Sequence, residues 1–210
     1  MALEHASKII QEISDRIYSK LPEKAHDPYK EQLERDSAVR QVQYDIRRMG
    51  GSLAYKAFKT ANYDNYGALE ACKAYPGINL FLHGPAGTGK THLATALLRQ
   101  YPQGFVTKPQ QIYRDCRGLN GTAEEMAAIA KYVNAPYMLI DDLGQDKKTD
   151  FSFSVLYEII DGRWMNERKG LIVTSNLSLD QLTVKLDDDR IASRLKGMCK
   201  VINLTGKDRR

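Results

Sequence analysis

Gly84-Pro85-Ala86-Gly87-Thr88-Gly89-Lys90-Thr91 sets two glycines around four intervening residues and follows the second with a lysine and a hydroxyl residue. That spacing suits the wrapping of a polyphosphate. The glycines allow a curl tight enough for successive backbone N–H groups to point inward, and a helix that starts there turns its positive end on the same anion. Lys90 is then expected on the β and γ phosphates and Thr91 on Mg²⁺, with His92 grouped with the nucleotide-binding loop. A nucleoside triphosphate with Mg²⁺ is the expected ligand.

A second set of chemical groups lies further along. Met138-Leu139-Ile140-Asp141-Asp142 is an apolar run ending in two carboxylates, placed 50 residues after Thr91. At the carboxyl edge of a parallel sheet both acids face the ligand crevice, so Asp141 is expected to hold the cation and Asp142 to orient or deprotonate the attacking water. Leu171-Ile172-Val173-Thr174 leads into Ser175-Asn176, and the Asn176 amide is suited to contact the γ phosphate and the water. Arg190 and Arg194 are four residues apart on one helix face, as if to reach outward together; ion pairs with Asp187, Asp188 or Asp189 are the alternative.

The surrounding pattern alternates strand and helix. Residues 78–82 read as a buried strand into the glycine loop and 91–100 as the helix leaving it. Strands are predicted over 104–107, 137–141, 171–174 and 199–204. Helices are predicted from a capping box at Thr122 and Glu125 to residue 132, over 151–166, after a second box at Ser178 and Gln181, and over 188–198. This order implies an α/β domain with a mostly parallel sheet covered on both faces. Residues 1–50 form a separate helical module. Ile9, Ile13 and Ile17 make one apolar stripe, closed by Pro22, and Val39, Val42, Ile46 and Met49 make another, closed by Gly50-Gly51. Residues 51–77 form a connector carrying Phe58, Tyr63, Tyr66 and Tyr75, expected to pack on the domain, with an adenine pocket or a base-stacking surface as alternatives; residues 78–210 form the nucleotide domain.

With 210 residues, 42% hydrophobic and 27% charged, the chain is sized for one α/β domain and a small appendage. No apolar run approaches the ~20 residues of a membrane span, and the N-terminus lacks a signal peptide's apolar core, so a cytoplasmic protein is expected. Cys72, Cys116 and Cys199 form no metal or disulfide pattern, nor do the four histidines. The net charge of +5 is concentrated late, since residues 185–210 carry eight basic and four acidic side chains; a polyanion partner fits that end.

Taken in order, the glycine loop, Asp141-Asp142, Thr174-Ser175-Asn176 and Ser193-Arg194-Leu195 resemble the AAA+ ATPases of the bacterial and phage helicase-loader family, the DnaC and DnaI type, with IstB-like relatives. The resemblance covers residues 54–210. It implies a lidless AAA+ core with a five-stranded parallel sheet, Asn176 as first sensor, and Arg194 as a finger acting on ATP in a neighbouring subunit of an oligomer formed on ATP binding. It further implies single-stranded DNA as ligand, touched by Lys108, Arg114 and Arg117 on an extra helix after the second strand. The N-terminal helices would hold a hexameric replicative DNA helicase. Many AAA+ proteins have Glu where Asp142 stands, and the shorter acid suits a slow nucleotide switch. An IstB-like transposition helper shares these motifs. A small-molecule kinase also uses a phosphate loop, but the paired acids, Asn176 and Arg194 favour hydrolysis between subunits.

Overall fold

A computed structural model of the chain describes residues 28–48, 69–118 and 121–205. The chain divides into two compact units, 1–56 and 57–210. In the first, α1 spans Pro28–Arg48. Its surface is laced by contacts four residues apart, Gln32 to Asp36 and Gln41 to Asp45, which suit an exposed helix. Val42 is buried and Val39 half-buried, whereas the side chain of Ile46, Met49 and the whole stripe of Ile9, Ile13 and Ile17 lie outside the described residues.

The second unit follows the expected alternation: α2 (Leu69–Ala74), β1 (Asn79–His83), α3 (Lys90–Leu98), β2 (Phe105–Thr107), α4 (Pro109–Cys116), α5 (Ala123–Val133), β3 (Met138–Leu143), α6 (Asp150–Met165), β4 (Leu171–Ser175), α7 (Leu179–Leu186), α8 (Arg190–Met198) and β5 (Cys199–Asn203). The sheet is wholly parallel in the order β2-β3-β4-β1-β5. From β1 the chain crosses to the far edge at β2, and from β4 it passes β1 to reach β5. Such a change of direction opens a crevice at the carboxyl ends of the strands.

Alternation along the strands divides the core. Phe81, Met138, Ile140, Leu171 and Val173 join one cluster with Ile112 of α4, Ile129 of α5, Ile159 of α6, Leu182 of α7 and Leu195 of α8. Leu80, Leu82, Leu139 and Ile172, equally buried, point to the opposite face, against which α3 packs. Because both faces are covered, the central strands are buried almost end to end, which explains their continuous apolar runs.

Local chemistry sets the helix ends. Ser178 and Gln181 form the expected reciprocal box on α7. On α5 the Thr122 hydroxyl accepts from Glu125 N–H as expected, but the Glu125 carboxylate takes the N–H of Gly121. An unexpected box on α6 uses Thr149 with Ser152, a serine where the pattern asks for Glu or Gln. The predicted helix over 188–198 starts two residues late: Asp187 turns left-handed at φ 46° to end α7, and α8 starts at Arg190. Tyr75 packs at the opposite end of the sheet from the glycine loop, its hydroxyl donating to the Gly170 carbonyl at 3.0 Å and its ring meeting Tyr101. This fits the packing expectation for Tyr75; Phe58, Tyr63 and Tyr66 lie outside the described residues. Arg163, fully buried, closes the same end by donating to the carbonyls of Tyr132, Val133, Ala135 and Lys169.

Candidate nucleotide site

The loop between β1 and α3 has the backbone that its glycines permit. Gly84, Gly87 and Gly89 take φ of 140°, 81° and 88°, values that side chains disfavour. At Gly84 the reason is also steric, since a Cβ would sit 2.2 Å from the Leu204 carbonyl oxygen just beyond β5. Thr88 steadies the turn by donating to the Pro85 carbonyl at 3.0 Å, and Ala86 in the same turn is exposed. Helix α3 begins at Lys90 with Gly89 as N-cap, no side-chain cap and no acidic residue in its first turn, leaving its positive end for an anion. Lys90 is buried and folds back on the loop, donating to the carbonyls of Gly84 at 2.8 Å and Pro85 at 2.7 Å. His92, two residues after Lys90, is half-buried in the first turn of α3. His83, at the end of β1, is held below the ordinary imidazole range by burial and then by the Lys90 charge.

Asp141 is the centre of the site. Its Oδ1 accepts from Thr91 Oγ1 at 2.7 Å and from Thr174 Oγ1 at 2.7 Å. Burial drives its carboxyl above the ordinary aspartate range, the hydrogen bond from Thr174 opposing and the Asp142 charge adding to the rise. Thr91 and Asp141 therefore bring two hard oxygen donors into contact at the foot of an anion cradle. That donor set fits Mg²⁺, which favours carboxylate, hydroxyl and phosphate oxygens.

The bulge next to it explains how two successive acids share one crevice. Between Ile140 and Leu143 the pairing of β3 with β4 gains one residue, and Asp142 takes φ 61°. Its N–H leaves the ladder and donates to Thr174 Oγ1 at 2.9 Å, while its carboxylate meets Lys108 Nζ at 3.5 Å. Thr174 thus braces both acids, a role its position at a strand end only hints at. Ser175 does similar work one step on: its hydroxyl donates to the Leu143 carbonyl and accepts from Leu177 N–H, setting the turn that carries Asn176. Asn176 is half-buried and makes no side-chain hydrogen bond among the described residues.

The two arginines of α8 do not project together. Arg190 pairs with Asp188 and lies over the rings of Phe153 and Tyr157. Arg194 pairs with none of the three aspartates considered from sequence; its Nε donates to Asp161 of α6 at 2.7 Å, and the guanidinium lies over Trp164. The side chain stays about a third exposed. The basic residues considered for DNA also separate. Lys108 is the N-cap of α4 beside Asp142, whereas Arg114 and Arg117 sit at the other end of that helix, exposed.

Fold and site together define a phosphate-loop ATP-binding protein of the AAA+ class. The chain belongs to the family of IstB-like ATP binding proteins, whose profile matches residues 68–210. Relatives in sequence include an insertion-sequence ATP-binding protein of Sinorhizobium fredii, 32% identical over 104 residues covering 48% of this chain and 34% of that protein. Another is an ATP-binding protein in an insertion sequence of Mycobacterium tuberculosis, 33% identical over 104 residues covering 48% of this chain and 41% of that protein. The chain thus spans less than half the length of these relatives. Among solved structures, the DnaC helicase loader is similar with a TM-score of 0.60 and 24% identity, over 71% of this chain and 99% of that one. DnaI is similar with a TM-score of 0.53 and 18% identity, over 89% of each chain. These likenesses are of fold, the parallel five-stranded sheet and its helices.

Proposed function

We propose that this chain hydrolyses ATP slowly as a nucleotide switch, and that the switch governs its self-assembly, its grip on single-stranded DNA and its delivery of a hexameric replicative helicase. The observation that carries the ATPase reading is Asp141, buried and joined through one oxygen to both Thr91 and Thr174. A Mg²⁺ ion held by Thr91 and Asp141 would neutralise charge on the β and γ phosphate oxygens. The N–H groups of the loop from Gly84 to Gly89 and the start of α3 hold the phosphates, and Lys90 exchanges the loop carbonyls for them. Asp142, turned out by the bulge, accepts a proton from the attacking water, and Asn176 orients that water from the next strand. Arg194 leaves Asp161 to reach the γ phosphate of a neighbouring subunit.

Residues 1–50 hold the helicase in this reading, 51–77 connect, and 78–210 are the ATPase. The solved loader DnaC, matched over nearly its whole length, supports helicase loading. The insertion-sequence relatives favour a second reading, a transposition helper ATPase that partners a transposase. The two are separated by mass spectrometry of what the full chain retains with ATP: a helicase supports the first and a transposase the second. For the ATPase itself, Mg²⁺-dependent phosphate release without any added acceptor is expected from the parent and absent from Lys90→Ala, which removes the one ammonium in the cradle. Turnover that demands a small-molecule acceptor would make the protein a kinase instead.

A further inference from the structure

At the same carboxyl edge of the sheet, two strands from the glycine loop, an open cavity of about 470 Å³ lies between α4 and the start of α6. That is within the ~300–1,000 Å³ range of small-ligand sites. Its walls combine two aromatic rings, Tyr113 and Phe151, with three basic side chains, Arg114, Arg117 and Lys147. Arg117 and Lys147 are exposed and have no carboxylate partner among the described residues, and the Arg114 guanidinium donates only to the neutral Gln111 at 2.7 Å. Three cations without an ion pair, set against the one carboxylate of Asp146, leave the cavity net positive and suited to phosphates. Burial, and behind it the Asp146 charge, pushes the Tyr113 hydroxyl up to about 12, so its ring is a neutral stacking surface.

The polar floor is more selective. Gln110 Nε2 donates to Asp146 Oδ1 at 2.7 Å, tying α4 to the loop after β3. The remaining oxygens of that pair, Gln110 Oε1 and Asp146 Oδ2, are buried and have no donor among the described residues. A buried acceptor without a donor costs roughly 1–3 kcal/mol, more when charged. Two such acceptors on neighbouring side chains call for a ligand with two hydrogens on one nitrogen. Cytosine, adenine and guanine each carry an exocyclic amine of that kind, whereas thymine presents carbonyl oxygens and a methyl group in its place.

We propose that this cavity takes one unpaired nucleotide of single-stranded DNA. Its base stacks on Tyr113 and Phe151 with its exocyclic amine turned to Gln110 and Asp146, and its flanking phosphates lie on Arg114, Arg117 and Lys147. This rests on the single-stranded DNA reading above and adds that a base is read, not the backbone alone. The sugar-phosphate strand alone gives no use for the aromatic walls or the acceptor floor.

The test measures fluorescence anisotropy of labelled oligo(dC), oligo(dT) and an abasic strand of equal length with the full chain and a non-hydrolysable ATP analogue. Oligo(dC) is expected to bind about tenfold more tightly than oligo(dT), with the abasic strand weakest. Asp146→Asn is expected to bring the dC and dT affinities together, and Tyr113→Ala to bring both toward the abasic strand. Thermal melts matching the parent's would exclude misfolding in either variant. Equal binding of the three strands would overturn the base pocket and leave backbone binding standing. No binding of any strand would overturn the DNA reading itself. Full competition by dCMP at the concentration of oligo(dC) nucleotide units would overturn the polymer assignment in favour of a free nucleotide.

Discussion

At Asp141 the site works against the stability of the fold. Burial raises its carboxyl above the ordinary value, so folding favours the protonated form more than the unfolded chain does. The stabilisation is complete below the unfolded value, near 3.8, and is lost as pH rises through the higher folded value. Holding Asp141 ionised thus costs the fold stability, a cost that a cation would relieve. Asp141→Asn keeps an Oδ1 to accept from Thr91 and Thr174, so its nucleotide-free melting temperature should exceed the parent's at neutral pH. The gap should narrow as pH falls toward the unfolded value and the parent is protonated, and Mg²⁺-dependent stabilisation by ATP should vanish from the variant. Melts across pH with and without Mg²⁺-ATP check both, and a variant less stable than the parent at neutral pH would contradict the argument. Thr174→Val tests the brace. Valine fills the same space but cannot donate to Asp141 or accept from Asp142 N–H. Groups that orient a metal ligand typically matter by about 10–100-fold in activity, and that loss is expected in kcat, with nucleotide affinity in the absence of Mg²⁺ within about twofold of the parent.

Among the elements, the joints matter more than the lengths. The turn from β1 into the phosphate loop runs so close to Leu204 that Gly84→Ala forces a Cβ into a carbonyl oxygen and a side chain into φ 140°. Stability and nucleotide binding should fall together, by several kcal/mol in a denaturant titration, whereas Lys90→Ala should remove binding alone. Helix α6 offers a milder case. Its Thr149 cap holds Ser152 N–H at the mouth of the basic cavity, and Thr149→Ala should lower unfolding free energy by about 1 kcal/mol. The reciprocal hydroxyl of Ser152 is why the box escaped the usual pattern: a serine at the third helical position reaches back to Thr149 N–H at 2.9 Å just as Glu or Gln would.

For the whole molecule the question is whether Arg194 serves its own chain or the next. Within one chain it is tied to Asp161 and lies over Trp164, a pairing compatible with a finger held in reserve or with a plain helix-to-helix bridge. Mixing decides between them. Arg194→Ala subunits offer bound nucleotide without a finger, and Lys90→Ala subunits a finger without nucleotide, so hydrolysis absent from each alone should return in the mixture. An arginine finger is worth on the order of 10³–10⁵ in rate in well-studied phosphate-loop enzymes, so even partial recovery is measurable. Mixed assemblies that form and stay inactive would leave Arg194 as the partner of Asp161.

The glycine loop, the paired acids at a strand end and the strand-helix alternation were legible in the sequence because each depends on residues adjacent in the chain. Backbone freedom at Gly84, Gly87 and Gly89, apolar runs such as Leu171-Ile172-Val173, and a cap such as Ser178 with Gln181 act over a few positions, and their geometry follows from local sterics. Which side chains meet across the fold is another matter. Lys108 on Asp142, Arg194 on Asp161 and Thr174 beneath both acids join residues more than thirty positions apart. Their meeting depends on strand order, on the extra residue in β3 and on the rotation of α6 and α8 about their axes. The cavity with Tyr113 and Asp146 arises the same way, from α4 and the loop after β3, which only the parallel order of β2 and β3 sets side by side. Local chemistry determined the elements and the phosphate cradle; the packing of the sheet decided what surrounds the reacting groups.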